Sequence, residues 1–103
     1  MLYVLRRYCK HGTFSQLRVF EAAARLGSFT LAAEELCIAQ PTVSVQIRKL
    51  TETTGVQLFI NKGRCVCLTE AGQYLFELCH AIFNKIVEFD QVVHEMEEGE
   101  VTY

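Results

Sequence analysis

The chain has 103 residues, half of them apolar, a single proline and a net charge of −2. That suffices for one modest core and not for two, and the apolar content is too high for a disordered chain. No apolar run approaches the ~20 residues a membrane-spanning helix needs, and the apolar stretch before Arg6 and Arg7 is too short for a secretory signal.

Five cysteines, odd in number and irregular in spacing, argue against a disulfide framework and for a reducing cytoplasm. Charge is unevenly placed. Residues 1–68 hold nine of the ten Lys/Arg against four acids, whereas residues 69–103 hold Lys85 alone against eight. A basic front and an acidic back suit a domain that meets phosphates on one side. The same split also arises from solvated faces with no common role, so charge alone does not decide.

Residues 1–12 read as an N-terminal extension. They form either a basic arm built on Arg6, Arg7 and Lys10 or, the preferred reading, a disordered or mis-started terminus. A first helix is expected from Ser15 to Leu26, because Leu17, Phe20 and Ala24 fall at spacings of three and four, and Gly27 is a natural stop. Ser28 or Thr30 can cap a short helix from Leu31 to Leu36, with Phe29, Ala33 and Leu36 toward the core. Ala32 and Ala33 permit close helix contact.

A break follows at Cys37–Ile38–Ala39. The next helix opens with Gln40–Pro41, since proline fits a first helical turn where its missing N–H costs nothing. Val43, Ile47 and Leu50 make its buried stripe, which leaves Gln40, Thr42, Ser44, Val45, Gln46 and Lys49 outside. Two helices joined in this way form a helix-turn-helix, and small polar side chains on its second helix can hydrogen-bond base edges in a major groove.

Gly55 ends that helix. The segment VQLFINKGRCVCLT sets β-formers on both sides of Asn61–Lys62–Gly63–Arg64 and predicts a two-stranded wing. Lys62 and Arg64 at its tip are candidates for phosphates or an adjacent minor groove. From Thr69, a capping residue, to about Glu98 the pattern is helical again, a rod of roughly 45 Å. Leu75, Ile82, Phe89 and Met96 recur every seven residues, joined by Leu78 and Val92 and widened by Ile86 and Val93. The front domain cannot cover so long a stripe. A homodimer through this helix is expected, with Leu75, Leu78, Ile82, Ile86, Phe89 and Val93 as its contacts. Burial inside a longer polypeptide competes with that expectation, and the acidic tail through Glu100 reads as a solvated linker.

The ordered pattern F-S-Q-L-R-V-F-E-A, G-S-F-T-x-A-A-E-E-L, Q-P-T-V-S, L-F and L-T-E-A-G resembles the DNA-binding domain of LysR-type transcriptional regulators over roughly Phe14 to Val93. Its wording is most similar to regulators of carbon-fixation operons. The resemblance implies a mainly α fold: a winged helix-turn-helix over 13–68, a linker and dimerisation helix over 69–98, and a tail over 99–103. It also implies a dimer made by antiparallel linker helices, tetramers in some members, and binding to interrupted inverted repeats in promoters. Gln40, Pro41, Thr42, Ser44 and Val45 fall where the family approaches bases. Arg48 with Lys62 or Arg64 falls where it approaches the backbone and minor groove.

Several positions depart from the family pattern. Ala39 replaces a frequent Ser or Thr cap, a loss of ~1 kcal/mol, and Val45 stands at an often basic position. Asn61, Cys65 and Cys67 replace frequent wing cations, so weaker, less salt-dependent binding is expected. Residues 1–12 precede the usual family start. Family members usually continue into a ligand-binding domain, so the 103 residues are expected to be either a fragment of a longer regulator or a truncated one, with a small-molecule effector only if a further domain exists.

Two other classes compete. Cys65 and Cys67 on a wing strand, with Cys79 and His80, suggest redox or metal sensing, but their spacing is not that of a zinc site. Cys37 and Cys79 read better as small apolar core residues. A protein-interaction module that has lost DNA contact is the second alternative. No cofactor is implied. His11, His80 and His94 are too scattered, and no phosphate loop or activated nucleophile supports an enzyme.

Overall fold

The computed structural model describes residues 1–99. In chain order these form α1 (Leu2–Tyr8), α2 (Thr13–Leu26), α3 (Phe29–Leu36), α4 (Gln40–Thr54), β1 (Phe59–Lys62), β2 (Cys65–Leu68) and α5 (Glu70–Gly99). The tail at 100–103, with Glu100, lies outside the described residues.

Residues 2–8 are helical, contrary to the disordered extension expected there, although none of them is buried. Leu and Arg are good helix formers, and Arg6 and Arg7 in the last turn complement the negative end of the helix dipole. The helix continues into a defined joint. The Cys9 N–H donates to the Leu5 carbonyl at 2.8 Å, and the Thr13 N–H to that of Lys10 at 3.1 Å. Gly12, left-handed at φ 87°, then starts α2 at Thr13, two residues before the expected Ser15.

The helix-turn-helix is set by its caps. Gly27 closes α2 at φ 64°, and the Ser28 hydroxyl accepts the Leu31 N–H at 3.1 Å, so α3 begins at Phe29. Cys37 ends α3 in the left-handed region at φ 56°, where its N–H reaches the Ala33 and Glu34 carbonyls. This takes Cys37 out of the core in which it was expected: it is exposed, and the turn uses its backbone. Cys79, by contrast, is fully buried among Leu17, Phe20, Val43, Leu50 and Leu58.

The wing pairs Phe59 with Leu68 and Lys62 with Cys65, leaving Gly63 and Arg64 at its tip. Gly63 has φ 64°, the left-handed first position that a two-residue hairpin turn favours. β2 is tied to the helical layer by the Val66 N–H on the Gly27 carbonyl at 3.3 Å. Phe59 anchors β1 there, its ring 5.2 Å from Phe20 and 5.4 Å from Phe29.

The L-T-E-A-G segment locks α5 to the wing. Thr69 Oγ1 donates to the Gln57 carbonyl at 2.7 Å and accepts the Gly72 N–H at 3.0 Å, while the Thr69 N–H donates to Leu58 at 3.0 Å. Any side chain at residue 72 would strike that last carbonyl: an added Cβ would lie 2.2 Å from Leu58 O. The first half of α5 packs on α2 through Leu75 and Cys79, with Phe14 and Phe83 rings 5.8 Å apart. Leu75 is therefore 9% exposed and belongs to the domain's own core, not to the free stripe in which it was expected. Leu78, Ile86, Phe89, Val92 and Met96 remain exposed, and Ile82 and Val93 half-buried.

Candidate nucleic-acid interface

The recognition helix α4 turns Val43, Ile47 and Leu50 inward, and this fixes what points out. Gln40, Pro41, Thr42 and Ser44 are exposed, and Val45 and Gln46 half-buried. Ala39 offers no side-chain cap, so the first turn is held by backbone alone, with the Thr42 N–H donating to Ala39 O at 2.9 Å. One turn apart, Gln40 Nε2 donates to Ser44 Oγ at 3.4 Å. A bond that long, between exposed groups, is readily exchanged for base edges offering the same donors and acceptors.

Arg48 lies on the next turn, its Nε 3.8 Å from Glu52 Oε1, with both side chains about two-thirds exposed. Such a pair contributes little, so the guanidinium is free to turn toward a phosphate. Lys62 and Arg64 are exposed on the hairpin, flanking or forming its tip. Sequence reasoning missed a neighbouring feature. Ser15 and Arg18 of α2 share a cleft of about 240 Å³ with Thr42 and Gln46 of α4. Their signal was the polar spacing of three that the apolar stripe of α2 leaves exposed beside α4.

A separate network lies between α2, α3 and α5. Arg25 bonds Glu21 at 3.0 Å and also Glu35, and His80 Nε2 lies 3.3 Å from Glu21. The Arg25 hydrogen bond holds the Glu35 carboxyl below the usual carboxylate range, and burial pushes the Cys79 thiol up to about 12. These groups brace the helices. Among the described residues no three His, Cys, Asp or Glu gather into a metal-holding group, and no helix is long and apolar enough to cross a membrane.

Comparison with known proteins agrees with this geometry. The profile of the family described as bacterial regulatory helix-turn-helix protein, lysR family, matches residues 3–73. The chain belongs to the lysR family. The match begins within α1, so it takes in most of the segment expected to precede the family's start. This lysR-family chain is 45% identical over 86 residues to the RuBisCO operon transcriptional regulator of Allochromatium vinosum, covering 84% of this chain and 28% of that protein. It is 43% identical over 88 residues to the HTH-type transcriptional activator CmpR of Synechocystis, covering 85% of this chain and 29% of that one. The likeness to carbon-fixation regulators thus has a counterpart among its relatives. The chain spans less than a third of the length of either relative. Among solved structures, the BenM DNA-binding domain in complex with catB site 1 DNA superposes with a TM-score of 0.78 at 32% identity. That superposition covers 85% of this chain and 98% of the other. These relatives are named as regulators of transcription, not as enzymes.

Proposed function

We propose that this lysR-family domain reads double-stranded promoter DNA as a homodimer, binding an interrupted inverted repeat. The observation that carries the reading is the row of Gln40, Thr42 and Ser44, exposed on the first turns of a helix braced by α2 and α3. Gln40 offers both a donor and an acceptor, as adenine's groove edge requires, and the hydroxyls of Thr42 and Ser44 can serve either. Pro41 and Val45 supply apolar contact for thymine methyls. Arg48, Lys62 and Arg64 act on the backbone and minor groove, where charge fixes register without reading sequence.

Dimerisation is supported by the row Leu78, Ile82, Ile86, Phe89 and Val93 on α5, whose largest member, Phe89, is 70% exposed in the single chain. An exposed apolar row on a long helix is stabilised by a matching row, and a second copy offers one. Cytoplasmic location follows from this reading, because the DNA lies there. Selection from a random duplex pool tests the proposal. The expected product is an inverted repeat whose half-sites lie about one helical turn, or a multiple of it, apart. A pool that converges on no sequence would refute base reading, and convergence on a single unrepeated half-site would refute the dimer.

A further inference from the structure

The joint between α1 and α2 lies against the recognition helix in a way that neither the helix-turn-helix nor the wing requires. Lys10, His11 and Gln16 line one side of a cleft of about 330 Å³, and Lys49, Glu52 and Thr53 of α4 line the other. Glu52 is the one acid in the cleft, and Lys10 and Lys49 outnumber it. Arg6 and Arg7 are exposed in the last turn of α1, about one turn before Lys10. The joint is held by the Thr13 N–H on the Lys10 carbonyl at 3.1 Å, which fixes the Lys10 backbone against α2.

The length of α4 gives this placement a consequence. Its 15 residues extend about 22 Å at a rise of ~1.5 Å per residue. A major groove is only ~12 Å wide. When the first turns of α4 enter the groove, the turns carrying Lys49 and Thr53 emerge at its rim, where backbone phosphates lie. Lys49 sits one turn after Val45, so the cleft prolongs the base-reading face toward that rim.

We infer that Arg6, Arg7 and Lys10, together with Lys49 across the cleft, form a second grip on DNA backbone phosphates at the groove rim, independent of the wing. The inference rests on the DNA-binding reading above and adds the N-terminal helix to it. The grip is electrostatic and blind to sequence. Each phosphate it neutralises steepens the fall of log affinity with log salt by ~0.9, which is roughly an eightfold affinity difference between 0.1 M and 1 M salt.

The test is a salt titration of duplex affinity with the full chain and its Arg6→Gln/Arg7→Gln/Lys10→Gln variant, with Lys85→Gln as a control. Lys85 lies on α5, 3.4 Å from Glu88. Because α1 buries no residue, the triple variant should melt at the wild-type temperature, which circular dichroism verifies. The expected result is a slope shallower by ~1 to 3 per chain, at ~0.9 for each phosphate no longer neutralised. The preference for a selected over a scrambled duplex should persist, and Lys85→Gln should match wild type. An unchanged slope in the triple variant would overturn the second grip while leaving the recognition helix as reader. An equal flattening in Lys85→Gln would overturn it too, by tracing the effect to net charge. A wild-type chain that binds no duplex would instead refute the reading on which the inference rests.

Discussion

Gly72→Ala is a substitution that helix propensity and packing judge with opposite sign. Alanine is favoured over glycine by at most about 1 kcal/mol in a helix, and residue 72 stands in the first turn of α5, so propensity alone predicts a stabilised helix. The new methyl, however, would lie 2.2 Å from the Leu58 carbonyl oxygen and 3.0 Å from Leu68 Cδ2. Ordinary contact begins near 3.4 Å, so the carbonyl must retreat by roughly 1.2 Å. It cannot do so freely, because Leu58 O accepts the Thr69 N–H and the adjacent Gln57 carbonyl accepts the Thr69 hydroxyl. Overpacking costs about 1–3 kcal/mol, and two weakened hydrogen bonds cost about 1 kcal/mol each. Set against the propensity gain, the net loss is about 3 kcal/mol, or a melting temperature lower by roughly 12–24 °C in a domain of this size. Gly55→Ala is the comparison: no atom lies within 4 Å, and its φ of 77° costs a side chain only the left-handed penalty, about 1 kcal/mol. Thermal denaturation of both variants by circular dichroism decides. A Gly72→Ala protein as stable as wild type, or less affected than Gly55→Ala, would refute the argument that the Leu58 carbonyl forbids a side chain there.

Other expectations follow from the same geometry. Gln40→Ala and Ser44→Ala should relax sequence preference by ~1–3 kcal/mol at the base each contacts, whereas Arg64→Ala should weaken all duplexes alike and flatten the salt slope by ~0.9; equal behaviour of the two classes in anisotropy titrations would contradict the division between α4 and the wing. Phe89→Asp sits on the exposed half of α5, so it should leave the fold intact and yield monomers in sedimentation velocity; a dimer that persists would remove α5 as the interface. Cys79 should resist alkylation at neutral pH while exposed Cys9, Cys37 and Cys65 react, as mass spectrometry would show. Its raised thiol pKa also sets a sign: the contribution to stability is complete below the ordinary thiol range and is lost as pH climbs from there toward about 12, and Cys79→Ala should lack that part of the alkaline loss.

What the sequence made legible was written in short-range signals. Gly27, Gly55, Gly63 and Thr69 each mark a cap or turn through a conformation or hydrogen bond made within a few residues and act as expected, and of the two caps open for α3, Ser28 and Thr30, Ser28 serves. The stripe Val43, Ile47 and Leu50 faces inward as its spacing requires, so the outward residues of the recognition helix were legible too. The break at Cys37–Ile38–Ala39 was legible, but the part Cys37 plays in it was not: its left-handed position, usually marked by Gly or Asn, is taken by a cysteine, which reads as a core residue. Leu75 continued a seven-residue repeat by spacing, but that repeat crosses from the part of α5 covered by α2 to the part that is not, and only packing shows where. The α1 helix has no side-chain cap and no buried stripe, so periodicity had nothing to register. Contacts between elements were likewise invisible: Lys10 beside Lys49, Ser15 and Arg18 beside Thr42, and Arg25 with Glu35 each join residues ten or more positions apart.

The central claim is that an exposed polar helix face reads sequence while surrounding cations hold the backbone. It is tested most directly by fluorescence-anisotropy titration of the full chain against a duplex selected from a random pool and a scrambled duplex of equal composition, at two salt concentrations. Tighter binding to the selected inverted repeat is expected, with affinity for both duplexes falling steeply as salt rises. Equal affinity for the two duplexes with no salt dependence would contradict it and favour a winged helix kept for protein contacts alone.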